Sequence, residues 1–85
     1  MPEISRLYGI NIKMFYNVHN PPHFHIEYQD YEAIVEIKTG EVKGNMSRRA
    51  LKLVYEWLDE HQDELLENWE LSQNRIPLKN IEPLK

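Results

Sequence analysis

The sequence predicts an α+β fold: an antiparallel sheet of about four strands, in two hairpins, packed by one long C-terminal helix and followed by an extended tail. Three observations predict it. Apolar residues alternate with period two through much of residues 1–46, they recur on one helical stripe from about Arg48 to Gln73, and prolines at 77 and 83 bar a helix from the remaining segment. A chain of 85 residues is near the lower size at which one core supports a fold. Residues 1–85 are therefore read as a single domain, with 1–46 the sheet region, 47–74 the helix and 75–85 the tail.

Glu3 to Leu7 and Ile10 to Tyr16 are β-like runs on either side of Tyr8-Gly9, where glycine supplies the positive φ of a tight hairpin. The second run places Ile10, Ile12, Met14 and Tyr16 on one face. Asn17 to Pro22 is a turn, stiff at Pro21-Pro22 because two pyrrolidine rings fix φ and remove two donors. From His23 onward, Phe24, Ile26 and Tyr28 point one way and His23, His25 and Glu27 the other. Tyr31 to Ile37 sets Tyr31, Ala33, Val35 and Ile37 on one face. With Gln29-Asp30 as a two-residue loop, Tyr28 meets Tyr31, Ile26 meets Ala33 and Phe24 meets Val35, so both apolar rows share a side. A slip of one residue would turn one row to water. Thr39-Gly40 makes a further turn, with Lys38 opposite Glu41 in a short edge strand ending at Gly44.

Ser47 is a favourable N-cap for the helix. At about 100° per residue, Ala50, Leu51, Val54, Trp57, Leu58, His61, Leu65, Trp69 and Ser72 form one stripe, and most of the acidic residues lie opposite. An unbroken helix would be about 39 Å long, and Asp59 to Gln62 is the place for a kink. One apolar stripe and one apolar sheet face call for one to pack on the other. His61 reads as a core histidine bonded to backbone, and Trp57 and Trp69 as core. Arg48 and Arg49 oppose the helix dipole, a misfit that a binding role would explain. In the tail, Ile76, Leu78, Ile81 and Leu84 suit an arm docked over the domain or offered to a partner.

Composition excludes several classes. Hydrophobic residues are 41% and charged residues 28%, ordinary for a compact domain rather than a disordered chain. The absence of cysteine removes disulfides, thiolate zinc sites and cysteine nucleophiles. No apolar run approaches a membrane span, and Met1-Pro2-Glu3 lacks the pattern of a signal peptide, so a cytoplasmic location is expected. The net charge is −4: residues 1–55 carry seven Lys/Arg and six Asp/Glu, residues 56–85 three and eight. Nucleic-acid binding as a main role is not favoured by this balance. The modest candidate surface for a nucleic acid or other partner is Lys43, Arg48, Arg49 and Lys52.

Chemistry concentrates at His19-Asn20-Pro21-Pro22-His23-Phe24-His25-Ile26-Glu27, which holds three of the four histidines. The hairpin register sets His23 opposite Glu36 and Glu27 opposite Glu32, and facing carboxylates repel unless a cation or proton lies between them. Histidines two apart on a strand are about 6.6 Å apart at Cα, so their imidazoles can converge. His19, His23, His25 and Glu27 are thus candidate ligands for a divalent metal such as zinc or nickel. Without a metal, His23 and His25 are candidate general bases with Glu36 orienting them, suited to phosphodiester cleavage. The same residues also make an ordinary solvated polar face. No serine nucleophile motif, P-loop or dinucleotide loop is present.

Asn20-Pro21-Pro22-His23-Phe24-His25, with Leu7-Tyr8-Gly9 and Met14-Phe15-Tyr16 before it, resembles a family of small prokaryotic proteins known as domain of unknown function 4160. Thr39-Gly40-Glu41, Arg48-Arg49-Ala50-Leu51, Glu64-Leu65-Leu66-Glu67-Asn68-Trp69 and Ile81-Glu82-Pro83-Leu84 are also similar to it. The proline–histidine run is the most specific of these; Gln29-Asp30 departs, since relatives tend to carry glycine there. The resemblance implies no established activity. It implies a gene neighbour, a second small family known as domain of unknown function 2442, in an arrangement like a toxin–antitoxin pair. The expected function is a small cytosolic module, one half of such a pair, binding a small protein from the neighbouring gene through exposed sheet, helix or tail. The alternative is a histidine-dependent ribonuclease or metal-assisted hydrolase. A homo-oligomer through the edge strand is a further expectation.

Overall fold

The computed structural model describes residues 3–16 and 18–84. Met1, Pro2, Asn17 at the start of the expected turn, and Lys85 at the end of the tail lie outside the described residues. Five strands, β1 (Glu3–Leu7), β2 (Ile10–Lys13), β3 (His23–Tyr28), β4 (Tyr31–Glu36) and β5 (Val42–Asn45), precede one helix, α1 (Arg48–Gln73). The sheet is an antiparallel meander in the order β1-β2-β3-β4-β5. The expected α+β architecture is present, with one strand more than the two hairpins alone provide.

The β3–β4 register is the expected one, from His23 opposite Glu36 to Tyr28 opposite Tyr31. Phe24, Ile26, Ala33 and Val35 are buried on the shared face, which is the physical reason the register cannot slip. At the first hairpin both Tyr8 (φ 48°) and Gly9 (φ 83°) have the positive φ that a type I′ turn requires. Two details differ from expectation. β2 stops at Lys13, opposite Glu3, where β1 begins; Met14 is still buried, but Tyr16 is exposed rather than on the core face. The β4–β5 turn is longer than expected: the Glu36 N–H donates to the Glu41 carbonyl and the Gly40 N–H to the Glu36 carbonyl, so Glu41 is bonded to Glu36 rather than set opposite Lys38.

α1 begins where Ser47 accepts the Ala50 N–H and bends at His61 (φ −124°, ψ 20°), within the expected window. Ala50, Val54, Trp57, Leu58, Leu65 and Trp69 bury against the sheet's apolar face, with Trp57 edge-on to Phe24. His61 meets a carboxylate rather than backbone: its Nδ1 lies 2.6 Å from Glu64 Oε1, beside the Trp57 ring. The reason is local, since the kink leaves His61 half-buried at the helix surface, three residues from an exposed Glu64.

The tail is docked. Ile81 is buried and its N–H donates to the Ile4 carbonyl, the Trp57 indole N–H donates to the Glu82 carbonyl, and the Asn68 amide exchanges two bonds with the Lys79 backbone. The Ile81 bond meets the outer edge of β1 at Ile4, while the Trp57 and Asn68 bonds fasten the tail to α1, so β5 is the edge strand on which no tail bond falls among the described residues. No helix among the described residues is long and apolar enough to cross a membrane.

Candidate functional site

α1 and the tail cover one face of the sheet; the other face carries the proline–histidine run. Across that open face Lys13, His25, Ile34 and Lys43 stand in one cross-strand row. Glu27, Glu32 and Asn45 form the row on one side, and His23 and Glu36 stand opposite each other on the other side. Two adjoining hollows result. One, about 450 Å³, is lined by Phe15, His25, Glu27 and Glu32, the other, about 210 Å³, by His19, Pro21, His23, Glu36 and Glu41, and Ile34 and Lys43 line both.

His23 Nδ1 lies 2.9 Å from the Pro21 carbonyl oxygen. A carbonyl only accepts, so this bond places a hydrogen on Nδ1, and in the neutral ring the lone pair is then on Nε2. Pro21 thus fixes the His23 tautomer, a role the sequence assigned to Glu36. The Glu36 carboxylate instead accepts the Thr39 hydroxyl hydrogen, and Thr39 Oγ1 accepts the Glu41 N–H. The His23 ring lies 5.4 Å from His25 and 5.2 Å from Trp69, centroid to centroid.

His25 lies edge-on to Phe15 at 4.5 Å, and its Nε2 is buried with no hydrogen-bond partner among the described residues. Burial, reinforced by the neighbouring His23, holds its pKa below the ordinary histidine value, against the opposing pull of Glu27 and Glu32. The sign of the pH effect follows. The unfolded chain takes up the proton near pH 6.5 and the folded chain only below that, so folding stability is full above this range and declines as pH falls through it. His25→Phe, which removes the unpaired nitrogen and keeps a ring, should raise the urea midpoint more at pH 5.5 than at pH 8. An equal change at both pH values would contradict the assignment.

Glu27, expected to share a cation with the histidines, has one of its own: Lys13 Nζ is 2.9 Å from its carboxylate, in a half-buried pair. This pair also answers the repulsion expected between Glu27 and Glu32. His19 is exposed and shares a hollow with His23, whereas His25 faces the neighbouring one. The described residues contain no group of three or more His, Asp or Glu side chains set to hold one metal ion. Of the donors expected for zinc or nickel, the structure brings the imidazoles of His23 and His25 together and engages Glu27 with Lys13. Lys43 lies on the open face, while Arg49 lines a different hollow on the helix side, and Arg48 and Lys52 are exposed on the first turns of α1. Lys13, Phe15 and the Pro21 carbonyl were not singled out from sequence. Strand alternation does place Phe15 opposite in facing to Met14, which is the signal that finds it.

A model of the family described as domain of unknown function (DUF4160) matches residues 9–70, a span that includes β2 to β5, the proline–histidine run and most of α1. No curated protein and no solved structure matches the chain. With most of its length matched, and with the His23-Phe24-His25 strand and its double-proline lead at the centre of the match, the chain belongs to the DUF4160 family.

Proposed function

We propose that this chain is a small protein-binding module, one half of a toxin–antitoxin-like pair, and that it meets a small protein encoded by the neighbouring gene with its open sheet face, in the cytoplasm. One observation carries the reading. α1 and the docked tail cover the helix-side face and meet the edge of β1 at Ile4, and what stays open is a hollowed sheet face with half-buried Phe15 and Ile34 and charges around them. An apolar centre with a charged rim is the anatomy of a protein interface. Ile34→Glu should therefore weaken capture of the co-expressed neighbour by roughly 30-fold or more, the scale of a central hot spot, while leaving the circular dichroism spectrum unchanged. Undiminished capture would remove the open face as the binding surface.

A second reading is a histidine-dependent ribonuclease or metal-assisted hydrolase. It is favoured by the His23 Nδ1 bond to Pro21, which in the neutral ring leaves the Nε2 lone pair uncommitted on a residue that lines a hollow with His19 and Lys43. A neutral imidazole so held suits a general base, and His23 Nε2 with His25 Nε2 would be the donors to zinc or nickel. Cleavage of RNA by the purified chain, lost in His23→Ala and His25→Ala, would support this reading over the first.

A further inference from the structure

On the helix side of the sheet, at the end carrying the Tyr8-Gly9 and Gln29-Asp30 turns, a hollow of about 300 Å³ is lined by Tyr8, Ile10, Tyr28, Arg49, Ala50 and Leu53. We propose that it binds a nucleotide, its base against the rings of Tyr8 and Tyr28 and its phosphate on Arg49, with Arg48 and Lys52 beside it. The site is independent of the open sheet face and of the reading drawn from it.

Three separate observations meet here. Tyr8 is 60% exposed at a turn position with φ 48°, where asparagine or glycine would be less strained. A bulky residue kept in a strained, exposed conformation points to a use outside folding. The Tyr28 ring lies beside Gly9, 3.6 Å from where a Cβ there would stand, so the two tyrosines flank one turn. Arg48, Arg49 and Lys52 are exposed and form no ion pair among the described residues, and the first turn of α1 has no acidic residue. Aromatic faces beside unpaired arginine are the chemistry that holds bases and their phosphates.

The surroundings give the site a direction. On its other side Tyr8 borders a second hollow lined by Glu56, Glu60 and Glu82. Those carboxylates repel a phosphate, leaving the Arg49 side as its place. The acidic second half of the chain argues against a long duplex and for one or a few nucleotides.

The ligand chemistry has two sources, a free nucleotide or a base within a single strand. The test uses the full chain, titrated separately with adenosine monophosphate, a ten-nucleotide oligoadenylate and inorganic phosphate, following tyrosine ring signals by NMR. The proposal expects the Tyr8 and Tyr28 signals to shift with the nucleotide or the oligonucleotide. Equal affinity per site points to the free nucleotide, and an affinity at least tenfold tighter for the oligonucleotide points to a strand. Tyr8→Asn should leave the fold as stable or more so, because asparagine suits the turn, while weakening binding roughly tenfold or more. Arg49→Ala should weaken binding and flatten its salt dependence. The proposal is overturned if neither nucleotide nor oligonucleotide shifts Tyr8 and Tyr28 at millimolar concentration, if Tyr8→Asn binds as the parent does, or if phosphate alone reproduces the shifts.

Discussion

Trp57→Ala should lower the stability of the domain by about 3–5 kcal/mol, the range for a large buried aromatic cut to a methyl. Trp57 is fully buried, edge-on to Phe24, and its indole N–H is the donor that holds the Glu82 carbonyl of the tail. The loss therefore combines a cavity at the sheet–helix interface with release of the tail. For a domain of this size, whose total is of order 5–10 kcal/mol, most of the margin would go. Urea denaturation followed by Trp69 fluorescence measures it, and amide exchange at Ile81 should quicken in parallel. A change below about 1 kcal/mol would mean that the core does not rest on this residue.

Gly44→Ala should cost about 2–4 kcal/mol, through a backbone that L-residues rarely adopt and a clash that cannot relax. Gly44 has φ 117°, and a Cβ built on it would lie 2.7 Å from the Glu32 carbonyl oxygen and 3.0 Å from Ala33 Cα. Both are backbone atoms of β4, so no side chain can move aside. β5 must instead separate from β4, carrying Lys43 away from both hollows of the open face. The variant should accordingly show a lower urea midpoint and faster exchange of the β5 amides. A midpoint within error of the parent would show that β5 accommodates a side chain there.

Much of this architecture is legible from residues alone where a local rule and the core agree. The β3–β4 register follows from two apolar rows that must share a face across a two-residue loop, even though Gln29 takes φ 54° where glycine would be easier. Ser47 and the later prolines bound α1, and its kink falls in the short polar stretch before Leu65. What is not legible depends on contacts between distant segments. The long loop between Met14 and His23 leaves the β2–β3 register free of any turn constraint, so neither Lys13 opposite His25 nor its diagonal ion pair with Glu27 could be read. Asn68, polar and beside the stripe, is buried because its amide satisfies the Lys79 backbone in a tail that folds back on α1. The site shows the same division. His23 and Glu36 are opposite as alternation requires, yet their hydrogen bonds go to Pro21 and Thr39, through turn geometry that alternation does not describe.

The central claim is that the open sheet face is where this chain meets its partner. The direct measurement is an amide and side-chain NMR titration of the isotopically labelled chain with the unlabelled protein of the neighbouring gene. The account predicts shifts confined to Phe15, His25, Ile34 and Lys43 and the residues around them, with Leu53, Tyr55 and the tail unmoved. Shifts on the α1 surface or along the tail instead, or no shift at saturating partner, would contradict it.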